Sequence, residues 1–216
     1  YKNPGAAYAP DGSRSKRFRK AHSHASREVK FVGVWDTVGA MGIPFSFLGM
    51  FDDKDEFYDT KIGSNVRIAR HAMAIDEQRV DFEPTVWFPR DNLDLKQVWF
   101  VGAHSDVGGS YPPDPGGSLL SDFALEWMMR EASRAGLTLE PFLKARLKPK
   151  ATATLHLSRR SYYRIKKKYF RPIDHGKDKV LIHQSVKQRW DRDKNYRPKN
   201  LVDYVNANGW PATLVA

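Results

Sequence analysis

Cysteine is absent from the 216 residues of this chain. The chain therefore has no disulfide and no thiolate chemistry, which fits a reducing compartment. Long apolar runs are also missing, since none approaches the roughly 20 residues that a transmembrane helix needs. The N-terminus carries neither a starting Met nor a signal-peptide pattern. We therefore expect a cytoplasmic protein without a transmembrane segment, whose sequence begins inside a longer gene product.

Positive charge is in excess, but it is unevenly distributed. The net charge is +11, yet residues 29–143 are net acidic and the chain is strongly basic from about residue 144. A basic surface attracts phosphate, either in nucleic acid or in anionic lipid headgroups. Aromatic side chains interleave with Lys and Arg over residues 161–171, a pattern that also serves single-strand nucleic-acid binding. A solvated basic face without a partner is the alternative interpretation.

Apolar periodicity indicates an α/β fold. Residues 29–35 and 95–102 are short runs rich in Val, Phe and Trp, and they predict buried strands. Residues 63–78 and 119–135 carry apolar side chains at helical spacing and predict helices. Proline and glycine predict a loop over residues 112–117. Helices that separate apolar strands are typical of a parallel sheet.

The chain is predicted to form one domain behind a leading segment. Residues 1–28 lack periodicity and predict a flexible or loop segment. Residues 29–216 show no repeat and no linker, and their number suits one core. Within them, residues 45–51 form an apolar loop after a turn at Gly39. This loop either covers the core or lines an acyl pocket, and the pattern favours the first role.

Two predicted strands each end in a polar residue that is followed by glycine. Asp36 follows the strand over residues 29–35, and His104 follows the strand over residues 95–102. In parallel sheets, ligands bind beyond the carboxyl ends of the strands. A histidine is a general base near neutral pH, and a carboxylate on its second ring nitrogen fixes its tautomer. Asp36 is the favoured partner, while Asp106 is an alternative.

A metal site is a further hypothesis for the same residues. Asp36, His104 and Asp106 could together bind a divalent ion. We regard this metal hypothesis as less favoured than the acid–histidine pair.

A serine nucleophile is missing from the expected position. An α/β hydrolase carries it on a Gly-x-Ser-x-Gly turn, and the chain order is serine, then acid, then histidine. No serine of this chain meets that test, including those in or near the histidine motif and the proline–glycine loop: Ser105, Ser110, Ser118 and Ser121. Since the acid already precedes the histidine here, we expect the serine upstream of residue 1.

Five segments of the chain resemble one known family. They are, in order, Phe31–Gly39, Arg70–Trp87, Val98–Tyr111, Leu120–Met128 and His183–Pro198. The resemblance is to a large α/β-hydrolase-domain family that includes the type VI secretion phospholipase effectors. It extends over about residues 29–205 and keeps the same order.

The resemblance implies a serine hydrolase that cleaves ester bonds without a cofactor. It implies that Asp36 is the acid and His104 the base of a Ser–Asp–His triad, that the substrate is a lipid, phospholipid or other acyl ester, and that a secretion system exports the protein. Residues 29–216 would form the C-terminal part of the domain, a partial α/β-hydrolase fold without the N-terminal strands and the serine turn. This chain alone is then inactive. The alternative is a non-catalytic module that binds nucleic acid or an anionic membrane surface through the basic third.

Overall fold

Four parallel strands organise the part of the chain that the structure describes. The computed structural model describes residues 5–9, 12–24, 27–38, 62–173 and 179–216. The strands are β1 (Val29–Trp35), β2 (Val66–Ala74), β3 (Asp94–Phe100) and β4 (Leu181–Ile182). Their order in the sheet is β1-β2-β3-β4, and each neighbouring pair is parallel. The predicted α/β fold and the predicted strands over residues 29–35 and 95–102 are confirmed.

Helices cover both faces of this sheet. The described helices are α1 (Ser13–His22), α2 (His104–Gly108), α3 (Ser121–Arg134), α4 (Pro141–Arg146), α5 (Gln184–Arg192) and α6 (Lys199–Asn208). Short 3-10 turns span Ala6–Tyr8, Val80–Phe82 and Ser161–Arg164. None of the helices in the described ranges has the length and apolar character to cross a membrane.

Alternate residues of the inner strands pack into hydrophobic clusters on opposite faces of the sheet. On one face, Ala72 and Val98 pack with Phe123 and Trp127 of α3, which confirms the predicted helix over residues 119–135. On the other face, Met73 and Trp99 of the same strands pack with α5 and α6, and the buried contacts there include Ile182, Val186 and Leu201. Because successive side chains of a strand point to opposite faces, both sides of the sheet are buried.

The prediction of a helix over residues 63–78 is wrong, since these residues contain β2. An inner strand of a parallel sheet is buried on both faces, so its apolar residues do not alternate and can match helical spacing by coincidence. Arg70 is tolerated in this buried strand because its guanidinium pairs with Glu131 Oε2 at 2.5 Å and with Asp94 Oδ2 at 2.7 Å. Tertiary pairing thus overrides the local pattern.

The leading segment differs from the predicted loop, because residues 13–22 form helix α1. No side chain of α1 is buried, so apolar periodicity could not reveal this helix. Its Lys, Arg and Ala residues have good intrinsic helix propensity. The apolar loop predicted over residues 45–51 and the turn at Gly39 lie outside the described residues. The loop over residues 112–117 is present, and the domain boundaries stay a prediction.

The C-terminal segment completes the second core. His183 ends the short strand β4 and caps α5, because its Nδ1 accepts a hydrogen bond from the Ser185 backbone N–H at 3.2 Å. Burial lowers the pKa of His183 to about 3, so the ring is neutral and can accept this bond. Helix α6 packs on the same core, and its Leu201 is fully buried.

Candidate functional site

The carboxyl edge of the sheet brings together two side chains that are 68 residues apart in sequence. Asp36 follows β1, and His104 begins α2 just beyond β3. The His104 Nδ1 atom lies 2.7 Å from the Asp36 Oδ2 atom. The two strands reach the same edge because both pair in parallel with β2. The contact predicted from the strand ends is therefore present, while the catalytic role of the two residues stays a prediction.

Asp36 is fixed by its backbone and by its carboxylate. Its φ of 43° lies in the left-handed region, which Asp adopts more readily than most residues. Its backbone N–H donates to the Ala72 carbonyl at 2.7 Å, and its Oδ1 accepts from the Ala74 N–H at 2.8 Å. The side chain is completely buried. The end of β1 thus aims one carboxylate oxygen at β2 and leaves the other for His104.

Arg171 neutralises the buried carboxylate of Asp36. Its Nη1 donates to Asp36 Oδ1 at 2.6 Å and its Nη2 to Asp36 Oδ2 at 2.9 Å, a two-pronged contact in which both side chains are fully buried. The same guanidinium donates to the carbonyls of Ala74 and Phe82. Burial alone would raise the pKa of Asp36, but the hydrogen bond from His104 and the charge and hydrogen bonds of Arg171 lower it to about 2. Asp36 is therefore ionised at neutral pH.

The sequence did not reveal Arg171 as part of this site. It ends the basic–aromatic run over residues 161–171, which suggested a surface for phosphate binding. Arg171 is 0% exposed, and its partner Asp36 is 135 residues away in sequence. This arginine therefore belongs to the interior. The only local signal is the short apolar stretch with proline that follows it, Pro172 and Ile173.

His104 is held by the turn that carries it. Gly102 has φ +123°, and a Cβ there would lie 2.5 Å from the Asp106 Cβ, so this position requires glycine. The His104 backbone N–H donates to Glu77 Oε2 at 3.2 Å. The ring meets Phe82 edge-on at a centroid distance of 5.1 Å. With its side chain 29% exposed, His104 is anchored on one side and reachable from solvent on the other.

Glu77 and Arg79 form an ion pair that contacts the His104 segment. The fully buried Glu77 accepts both Nε and Nη2 of Arg79 at 2.9 Å. Burial works against ionisation, but the hydrogen bond and charge of Arg79 keep the pKa of Glu77 below its usual value. The Arg79 guanidinium lies 3.4 Å from the Phe82 ring centroid. The Glu77–Arg79 ion pair thus holds the His104 backbone through Glu77, and Phe82, which contacts Arg79, packs against the His104 ring.

Asp106, the alternative partner for His104, is engaged elsewhere. Its Oδ1 lies 2.7 Å from the His156 Nδ1 atom, and its Oδ2 accepts from the backbone N–H groups of Ala103 and His156 at 3.0 and 3.1 Å. The structure therefore pairs His104 with Asp36. It also does not support a metal site of Asp36, His104 and Asp106, since no group of three or more potential ligand side chains forms a metal site among the described residues.

Asp76, which follows β2, braces the same edge. Its Oδ2 accepts from the Gly102 N–H at 2.7 Å and from the Tyr196 hydroxyl at 2.9 Å. Burial raises the pKa of Asp76 to about 6, and burial beside Asp76 raises the pKa of Tyr196. The C-terminal helices are thereby tied to the turn that presents His104.

Fold and geometry together define a class: α/β proteins that hold an acid–histidine pair at the carboxyl edge of a parallel sheet. The chain belongs to the family described as T6SS phospholipase effector, Tle1-like, catalytic domain, whose family model matches residues 2–131. The matched range contains Asp36 and His104, whereas His156 and Arg171 lie beyond it.

Two further similarities are partial. An uncharacterized protein of Saccharomyces cerevisiae is 43% identical over 49 residues, which make up 22% of this chain and 7% of that protein. The crystal structure of an uncharacterized protein from Pseudomonas aeruginosa is 26% identical, with a TM-score of 0.38, and the match covers 55% of this chain and 20% of that chain. The chain thus spans a small part of the length of each of these proteins.

Proposed function

We propose that Asp36 and His104 are the acid and the base of a Ser–Asp–His triad that hydrolyses lipid esters. The observation that carries the proposal is the 2.7 Å contact between His104 Nδ1 and Asp36 Oδ2. Membership of a phospholipase effector family supports phospholipid esters as the substrate class. No Gly-x-Ser-x-Gly segment occurs in the sequence, so the proposal places the serine in a part of the protein encoded upstream of these residues.

The proposed mechanism begins with the tautomer of His104. Asp36 is ionised and can only accept a hydrogen bond, so His104 Nδ1 carries a proton and Nε2 is free to act as a base. His104 Nε2 takes the proton of the serine hydroxyl as the serine oxygen attacks the ester carbonyl. The resulting imidazolium is stabilised by the Asp36 carboxylate. His104 then protonates the leaving alcohol, which leaves an acyl-enzyme.

Hydrolysis of the acyl-enzyme repeats these proton transfers with water. His104 Nε2 removes a proton from a water molecule, the water oxygen attacks the acyl carbon, and His104 returns the proton to the serine oxygen. Arg171 has a separate part in this proposal. Together with the hydrogen bond from His104, the charge and hydrogen bonds of Arg171 lower the pKa of Asp36 to about 2, so the carboxylate does not take the proton from the imidazolium.

The test compares the 216-residue chain with a version extended by its upstream-encoded segment. We expect the extended protein to release fatty acid from phospholipid vesicles and to react with a fluorophosphonate at one serine outside the present sequence. His104→Ala is expected to abolish both, whereas His156→Ala, a change of the same size at the other paired histidine, preserves the labelling. Full hydrolysis by the His104→Ala variant would disprove the proposal.

A further inference from the structure

A short basic segment lies beside His104 and is anchored at both ends to the candidate site. We define residues 157–168 as the basic rim. Immediately before it, His156 pairs with Asp106, two residues after His104. Immediately after it, the Tyr169 backbone N–H donates to the Gln78 carbonyl at 3.0 Å, and Arg171 holds Asp36. The position of the basic rim relative to His104 is therefore fixed by the residues that organise the site.

The middle of the basic rim approaches His104 through a single intervening ring. Tyr163 meets Phe82 edge-on at a centroid distance of 6.2 Å, and Phe82 also meets His104 edge-on. Lys166 pairs with Asp81 at 2.9 Å, which fixes the rim to the same 3-10 turn. A surface that binds the middle of the basic rim consequently lies near His104.

The side chains of the basic rim combine unpaired positive charge with exposed aliphatic groups. The rim contains six Lys or Arg residues and no Asp or Glu. Four of these cations are exposed and form no ion pair with another described residue: Arg160, Arg164, Lys167 and Lys168. Leu157 is 75% exposed and Ile165 is 83% exposed. The exposure of these aliphatic side chains to water is unfavourable, and burial against a partner would relieve it.

We propose that the basic rim docks this protein onto the surface of an anionic lipid bilayer. Lysine and arginine near an anionic leaflet are attracted to its headgroups, and aliphatic side chains insert at the headgroup–acyl boundary. Single-stranded nucleic acid instead requires rings on which bases stack, whereas the most exposed large side chains among those that the structure describes in the rim are the aliphatic Leu157 and Ile165. The bilayer is therefore the occupant that both charge and apolar exposure fit.

Docking in this orientation places the bilayer beside His104. The inference rests on the proposed function only in this respect, since a lipid hydrolase must meet its substrate at an interface. Binding itself requires no nucleophile and no turnover. It can therefore be measured on the 216-residue chain, independently of hydrolysis.

Vesicle co-sedimentation of the full chain tests the docking. The probes are phosphatidylcholine vesicles with and without 30 mol% phosphatidylglycerol. Each basic side chain near an anionic surface strengthens binding by about fivefold. We therefore expect the rim-charge variant (Arg160→Gln, Arg164→Gln, Lys167→Gln and Lys168→Gln) to bind the anionic vesicles about 600-fold more weakly. Leu157→Ser with Ile165→Ser should weaken binding by roughly tenfold.

Matched controls remove the same charge, and two other exposed apolar side chains, elsewhere on the protein. The charge control changes four exposed cations outside the rim, and all become Gln: Lys144, Lys150, Arg192 and Lys194. The apolar control is Leu137→Ser with Phe142→Ser, whose side chains are 57% and 51% exposed. Both controls should bind within about threefold of the unchanged chain, because the proposed attraction is local. Equal losses in the rim-charge variant and the charge control would overturn the proposal, because binding would then follow net charge alone. Equal losses in the two apolar variants would likewise overturn it, because insertion would then not be specific to the rim.

Two further readouts separate the alternatives. Retention of a single-stranded oligonucleotide on filters, lost in the rim-charge variant while vesicle binding is unaffected, would replace the bilayer with nucleic acid and contradict the proposal. In the extended protein, the rim-charge variant should hydrolyse a soluble short-chain ester at the unchanged rate but vesicle lipid more slowly. An extended protein that hydrolyses nothing would disprove the proposed function and leave the vesicle-binding result standing by itself.

Discussion

Two His–Asp pairs meet in one turn, because His104 of the first pair and Asp106 of the second are two residues apart. The pairs differ in the groups that surround them. His104 with Asp36 and His156 with Asp106 have the same Nδ1-to-carboxylate distance of 2.7 Å. Asp36 also binds the fully buried Arg171, whereas the second carboxylate oxygen of Asp106 accepts hydrogen bonds from backbone N–H groups. The His156 ring is stacked on Tyr111 at a centroid distance of 3.7 Å.

A short His–Asp distance therefore does not by itself mark a catalytic pair. In the first pair, a buried arginine keeps the carboxylate ionised and the histidine begins at the open edge of the sheet. In the second pair, the carboxylate closes the His104 turn and the ring is covered by an aromatic neighbour. The first arrangement suits proton transfer, and the second suits the fixing of one segment to another.

The largest expected difference is in hydrolysis by the extended protein. Loss of the general base should lower kcat by about 10⁴- to 10⁶-fold in His104→Ala. His156→Ala should lower it by less than about tenfold, because that ring acts on the site only through Asp106. Steady-state assays with a soluble ester measure both, and a correctly folded His156→Ala protein with a loss as large as that of His104→Ala would show that the two pairs act together.

Removal of Arg171 should be the largest change in folding free energy. Arg171→Met leaves the buried Asp36 carboxylate without its counter-charge, a kind of change that costs about 3–5 kcal/mol. The variant Asp36→Asn with Arg171→Met removes both charges and should recover part of that loss. Urea denaturation of the full chain at pH 7 gives the coupling between the two changes. A coupling of zero would mean that Arg171 acts through packing alone.

The pH dependence of stability should have opposite signs at two carboxylates of this edge. The pKa of Asp36 falls from 3.8 to about 2 on folding, so its contribution of about 2 kcal/mol is present above pH 4 and is lost as the pH falls towards 2. The pKa of Asp76 rises from 3.8 to about 6, so its contribution is present below pH 4 and is lost as the pH rises to 6.

Denaturation curves from pH 2 to 8 check both signs. Asp36→Asn should flatten the acid limb. Asp76→Asn, which keeps an acceptor oxygen for Gly102 and Tyr196, should raise stability at pH 8 by about 1–3 kcal/mol. A loss of stability in Asp76→Asn at pH 8 would show that the charged carboxylate is needed there.

The smallest expected effects separate the aromatic neighbours of the two pairs. Tyr111→Leu removes the ring on His156 and should lower stability by about 0.5–1.5 kcal/mol without a change in kcat. Phe82→Leu removes a ring of the same kind beside His104 and should lower kcat as well, because it lets the His104 ring move. Parallel denaturation and soluble-ester assays decide, and equal kcat values for the two variants would remove the distinction.

Much of the site was predictable because it depends on local patterns. Asp36 and His104 each follow an apolar run and precede glycine, so their place at the ends of parallel strands could be read from the chain. The choice between Asp36 and Asp106 could not be settled in this way, because it depends on where His156 lies. Strand β2 was mistaken for a helix because a strand buried on both faces carries no alternation.

The α/β class, the ends of β1 and β3 and the order of Asp36 before His104 follow from the sequence, because strand burial and turn chemistry depend on neighbouring residues. Only the tertiary structure decided that Arg171 leaves the basic surface to neutralise Asp36, and that His156 secures Asp106. Both are contacts over long sequence separation. A buried charge finds its partner through the packing of the whole chain, and no local pattern encodes that pairing.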